Sequence, residues 1–122
     1  MKSGEFYRYV EDKLRMYTNI LRAKGISNSG YQSKDDRLSY FIEHAKIMHI
    51  TPERAALELS IKHFISIREM INGIDEGNIY SEEYIDEKIG DLINYMLFIR
   101  ALLYVRSKNM AIVKKFVDKM EE

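Results

Sequence analysis

The sequence predicts an all-α protein, a compact bundle of four to five helices assembled as an oligomer, and three observations carry that expectation. Apolar residues recur at three- and four-residue spacing along most of the 122 residues, which is the period of a helix with one buried side. One proline and six glycines leave few breaks, and alternating apolar and polar runs of the kind strands need are scarce. An apolar, aromatic run, YMLFIRALLYV at 95–105, is more than one thin domain can cover, so its helix is expected in a core or a subunit interface.

The first helix is expected from about Gly4 to Lys24, with Phe6, Val10, Leu14, Tyr17 and Leu21 on one side, stopping at Gly25. GISNSGYQSKD, from Gly25 to Asp35, holds two glycines and three serines, which is turn chemistry, and reads as a loop. A second helix starts near Asp35 and turns Leu38, Phe41, Ile42, Ala45 and Met48 inward. At Thr51-Pro52-Glu53 a third begins: threonine suits the cap, proline the first turn, and glutamate the positive end of the dipole. Asn72-Gly73 is its expected end. After GIDEGNIY, Ser81-Glu82-Glu83 opens a fourth helix running to about Ser107. A separate, shorter helix over 108–121 follows, with Met110, Val113, Phe116, Val117 and Met120 at helical spacing. The whole is one domain, 1–122, with its motif-bearing region at 34–106, since a chain this long buries roughly two-thirds of its unfolded surface and has no material for a second core.

Composition narrows the function classes. Lysine plus arginine and aspartate plus glutamate each number 19, so no net positive field exists to hold a nucleic-acid backbone, and a nucleic-acid partner is not expected despite Lys108, Lys114, Lys115 and Lys119. The chain has no cysteine, which removes disulfides, thiolate nucleophiles and cysteine zinc sites and suits a reducing compartment. The N-terminus lacks the apolar stretch of a secretory signal, and no run approaches the ~20 apolar residues of a membrane span. A cytoplasmic protein is expected. Walker, GxGxxG, HExxH, EF-hand and GxSxG patterns are all absent. Seven methionines and nine tyrosines sit mostly at core spacing and read as packing material.

The segment that reads as a site is EKIGDLINY, 87–95. At ~100° per residue Glu87, Asp91 and Asn94 share one narrow arc, which continues into Phe98, Ala101 and Val105, so a polar cluster opens onto an apolar stripe. Two carboxylates one turn apart recruit a cation, pair with a basic side chain or hold a proton. Magnesium suits such oxygen ligands, which makes Glu87 and Asp91 the candidate metal ligands and catalytic groups. The plainer alternative leaves Glu87 in solvent and gives Asp91 a basic partner. On the third helix Glu58, Lys62, Ser66 and Glu69 share a polar side, while His63 lies on the apolar side between Ala56 and Met70. Lys62 could meet phosphate and His63 could titrate near neutrality, and a surface Glu58–Lys62 pair with a hydrogen-bonded core histidine stands beside that reading. His44 and His49 read as surface residues.

Three stretches, KDDRLSYFIEHAK, TPERAALELSIKHFISIREM and YIDEKIGDLINYMLFIRAL, together resemble small phage and prophage proteins that share DRL, TPE, KHxxSI and EKIxDxxNY elements in this order. The resemblance spans residues 34–103. Those proteins are similar to nucleotide-modification-associated helical domains and, more distantly, to MazG-like all-α nucleotide pyrophosphatases. The resemblance implies an oligomer with its site between packed helices, a nucleotide ligand, and magnesium held by an EExxE element and an ExxD element for hydrolysis of nucleoside triphosphates. Asp91 matches the ExxD aspartate; Lys88 stands where its glutamate would be, with Glu87 the substitute, and no EExxE surrounds Glu58. SNSGYQS lacks the lysine-then-DYG pattern of the modification-associated domains, of which Lys24 and Tyr31 are the remnant. The ligand-contacting set on this reading is Arg37, Lys62, His63, Ser66, Lys88, Asn94 and Tyr95. The competing expectation is a non-catalytic oligomeric phage accessory that sequesters a host nucleotide signal or binds a host protein.

Overall fold

A computed structural model describes residues 1–27 and 36–121, in which four helices and no strand occur: α1 (Ser3–Ser27), α2 (Ser39–Met48), α3 (Pro52–Asp75) and α4 (Glu82–Met120). The expected all-α architecture is thus present. Most of the expected loop at 25–35 lies outside the described residues, as does Tyr31. Gly25 does not end α1, which continues to Ser27, because a single glycine costs a helix only ~1 kcal/mol.

α2 ends through a left-handed residue, His49 (φ 56°), and Ile50 N–H donates to the Ala45 carbonyl at 3.1 Å. That bond satisfies a carbonyl the helix end would otherwise leave bare. A side chain in this conformation costs ~1–2 kcal/mol, so His49→Gly is expected to raise stability by about 0.5–1 kcal/mol, read as an upward shift in urea midpoint. Thr51 occupies the cap of α3 but turns its hydroxyl to the Glu53 carboxylate, not to the backbone. Ser81 caps α4 as expected, accepting from Tyr84 N–H at 3.1 Å.

Gly73 is not the end of α3. It is buried, and a Cβ there would collide with the Tyr80 hydroxyl, so its value is close approach. The chain leaves the helix at Gly77 (φ 95°), where Gly77 N–H bonds Ile74 and Asn78 N–H bonds Gly73. The largest departure from expectation is in α4, which runs unbroken through 107–108 for 39 residues, ~58 Å at 1.5 Å per residue. Ser107-Lys108-Asn109 contains neither glycine nor proline, so nothing interrupts the ladder once it is propagating.

α3 and α4 form an antiparallel hairpin in which Glu53 meets Arg106, His63 meets Asp91 and Tyr95, and Gly73 meets Tyr80. α1 packs on α4 and runs parallel to it, with Lys13 at Asp86, Tyr17 at Gly90 and Lys24 at Asp91. α2 packs on α3 and sends Phe41 to α4, where its ring meets Phe98 at 5.0 Å and Tyr95 at 5.8 Å. Phe41, Ala56 and Leu102 form the buried core, with Leu38, Leu59 and Ile99 against it. Met48 was expected inside but is 54% exposed, and on α1 Phe6 and Leu14 are about half exposed. Among the described residues the backbone of α1 lies close to α4 alone and that of α2 to α3 alone, with Phe41 reaching on to α4, so each outer helix has one covered side. No described helix is long and apolar enough to cross a membrane.

Candidate functional site

Asp91 lies between two helices. Its Oδ1 accepts from Lys24 Nζ of α1 at 3.0 Å, and its Oδ2 stands 3.8 Å from His63 Nδ1 of α3. The second distance is beyond hydrogen-bond range. Burial pushes the His63 imidazole below its usual value of 6.5, and Lys62, Lys88 and Lys24 add to that, against the opposing pull of Asp91. His63 is therefore neutral at pH 7, and Lys24 is the ionic partner of Asp91. The His63 ring packs on Tyr95 with centroids 4.7 Å apart, and burial holds the Tyr95 phenol above its usual value.

This arrangement has a pH signature. The folded chain resists protonating His63 more than the unfolded chain does, so its contribution is complete above pH 6.5 and is lost as pH falls through the lowered native value. Tm of the wild type is expected to decline from pH 7.5 to 5.5, and His63→Gln to show a shallower slope over that window. Equal slopes would contradict the assignment.

One turn earlier, Asp86 is a second junction: Oδ2 accepts from Lys13 at 2.9 Å and Oδ1 from the Tyr17 hydroxyl at 3.1 Å. Burial, then Asp86, push the Tyr17 phenol up to about 12, and the same carboxylate raises Lys13. Tyr17 reaches this position because Gly90 lets its ring close on the α4 backbone; a Cβ at 90 would sit 3.1 Å from the ring.

Beside these pairs a cavity of about 280 Å³ opens between α1 and α4, lined by Tyr17, Ile20 and Lys24 on one side and Asp86, Glu87 and Asn94 on the other, with Asp91 in the same wall. Asn94 is 5% exposed, and its Oδ1 has no hydrogen-bond partner. Buried acceptors are satisfied in the great majority of cases, so this atom marks where a donor belongs.

Of the sequence-derived residues, the fold brings together Asp91, His63, Tyr95 and, on the cavity side, Asn94 and Glu87. It does not bring in the rest. Lys62 is exposed one residue along from His63, and the expected lysine over the acidic pair comes from α1 as Lys24. The Ser66 hydroxyl donates to the Lys62 carbonyl of its own helix at 3.0 Å, a bond a helical serine makes whenever nothing better is in reach. Lys88 lies over the Tyr84 ring at 5.1 Å, and Arg37 over Phe98 at 5.5 Å on the edge of the core. Among the described residues no three His, Asp or Glu side chains are placed to hold a metal ion.

Lys13, Tyr17 and Asp86 were not singled out from the sequence as site residues. The available signal was Gly90: a glycine inside an otherwise strong helical pattern marks a close approach, here by Tyr17. Which residue approaches is a tertiary fact.

No family model matches the chain, and neither a curated protein nor a solved structure matches it.

Proposed function

We propose that the α1–α4 cavity binds a nucleotide or a related phosphate-bearing small molecule rich in N–H groups. The observation that carries this reading is the buried, partnerless Asn94 Oδ1 in the cavity wall. An acceptor in that position calls for a donor such as the exocyclic amine or ring N–H of a nucleobase, and the lining carboxylates Asp86 and Asp91 favour the same donors. Lys24 lines the cavity and supplies the charge a phosphate needs. About 280 Å³ is at the small end of ligand sites, which suits a base with its phosphates lying toward solvent. The phage and prophage proteins whose KHxxSI and EKIxDxxNY elements this chain resembles are in turn similar to nucleotide-modification-associated domains, which supports the same class of ligand.

Binding is favoured over hydrolysis. Glu87 and Asp91 lie in one wall, and magnesium commonly takes one or two carboxylates together with substrate phosphates, so these two fit an ion arriving with its nucleotide. Such an ion would polarise the phosphate, and the ammonium of Lys24 would have to yield Asp91 to it. A group of three or more carboxylate or imidazole ligands of the kind a resident metal needs is not assembled among the described residues.

The test is a melting-temperature screen against mono-, di-, tri- and cyclic nucleotides, each with magnesium and with chelator, alongside chromatographic assay for products. At least one nucleotide is expected to stabilise the wild type by ~2.7 kcal/mol at a hundredfold excess over its Kd, and Asp91→Ala to lose most of that shift. No response to any compound would remove the proposal; product formation that requires magnesium and Asp91 would restore the hydrolase reading.

A further inference from the structure

The last third of α4 is poorly covered: Met110, Ile112, Val113, Phe116 and Met120 are 60–72% exposed. α3 begins at Pro52, and its Glu53 meets Arg106, so beyond that pair α4 continues for about four turns with no other described helix beside it.

That arm has two sides. At ~100° per residue Val105, Met110, Val113, Phe116, Val117 and Met120 occupy one arc centred on the line of buried Leu102, interrupted by Arg106 and Asn109, while Lys108, Lys114, Lys115, Asp118, Lys119 and Glu121 occupy the other. The six apolar side chains are 43–72% exposed. The core stripe thus continues past the other described helices. At its inner end a groove of about 740 Å³ is walled by Ile42 and Pro52 as well as by Val105, Met110 and Val113.

We infer that this face is covered by the same face of a second copy, the two arms packing antiparallel about a two-fold axis near Val113. Charge and dipole select the direction. Beyond Arg106, which Glu53 holds, the arm carries Lys108, Lys114 and Lys115 and no acidic residue before Asp118, whereas Asp118 to Glu121 is net acidic. These charges flank the apolar face or lie behind it and act along the length of the pair: antiparallel arms set opposite net charge at each end and oppose the helix dipoles, while a parallel pair stacks like on like. A two-fold contact is self-complementary, and with each side chain of this size leaving on the order of 100 Å² in water, six from each arm supply about 1,200 Å², the lower end of a stable interface. In this pairing Phe116 and Met120 of the second copy enter the groove against Ile42 and Pro52. The inference is independent of the α1–α4 cavity and of what binds there.

Sedimentation equilibrium of the full chain tests it. The wild type is expected to sediment as two chains or a multiple of two, and Val113→Asp and Phe116→Asp each to weaken association at least thirtyfold, the scale of a central apolar contact, with helical circular dichroism retained. Because the chain has no cysteine, single-cysteine variants report the geometry whatever the fate of the charged ones. Val113→Cys, near the axis, is expected to form an inter-chain disulfide under mild oxidation, and Met120→Cys to form none with itself. A wild type that is monomeric at all concentrations, an unchanged mass in both aspartate variants, or self-linkage of Met120→Cys would overturn the arrangement.

Discussion

Phe41→Ala is expected to cost the fold ~3–5 kcal/mol, the range for removing a buried aromatic ring, and to lower Tm by more than ~10 °C in a chain of this size. Phe41 is 2% exposed and is the one large side chain among the described residues that is completely enclosed. It also ties three helices together: it belongs to α2, packs on Ala56 of α3 and meets Tyr95, Phe98 and Leu102 of α4. Compensating collapse is limited because its neighbours are already in contact with one another, Tyr95 and Phe98 at 6.0 Å. Chemical denaturation with Phe41→Leu as a control separates the contribution of volume from that of the ring edge contacts. A loss below ~1 kcal/mol for Phe41→Ala would mean that the core lies elsewhere. The effect is large relative to the ~5–15 kcal/mol that holds most domains together, so a substantial unfolded fraction at 37 °C is the expected result.

The second large effect has the opposite sign. Asn94→Leu is expected to stabilise the unliganded chain by ~1–3 kcal/mol, because it replaces a buried acceptor lacking a partner with an apolar group of similar size. The same substitution is expected to abolish nucleotide-induced stabilisation, since the atom that meets the ligand's donor is gone. A gain in stability coupled to a loss of binding separates a site residue from a structural one. Were Asn94→Leu destabilising, the amide would be part of the packing network instead, and the cavity would lose its principal warrant. Both quantities come from one set of thermal melts with and without nucleotide.

These two residues illustrate how much could be read without coordinates. Phe41 was assigned inward from the spacing Leu38, Phe41, Ile42, Ala45, and the structure agrees, because a ten-residue helix with a single apolar stripe has one way to face a core. Asn94 was picked out as a polar group in an apolar run, and it is buried. Its place on the arc that continues into Phe98 made burial legible. That its oxygen lacks a partner does not follow, since any of several helices could have supplied one. Met48, by contrast, has the right spacing and is exposed, because α2 packs closely only on α3 and its last turn extends past the covered side.

The sequence by itself determined the helical class, the capping serine at Ser81 and the proline start at Pro52. It singled out Asp91, His63 and Tyr95 separately, and the register of α3 against α4 is what brings them together. Tertiary structure alone decided that Lys24, not Lys62, neutralises Asp91: both lysines are within reach on paper, and only the placement of α1 beside α4 selects one. It likewise decided that Gly73 serves Tyr80 and leaves the helix end to Gly77, and that α4 does not break at Ser107. Local propensity gives no stop there, yet it gives no partner either. Arg106 marks the last ion pair between α4 and another described helix, and the apolar residues beyond it, present in the sequence as a continuing stripe, stand exposed.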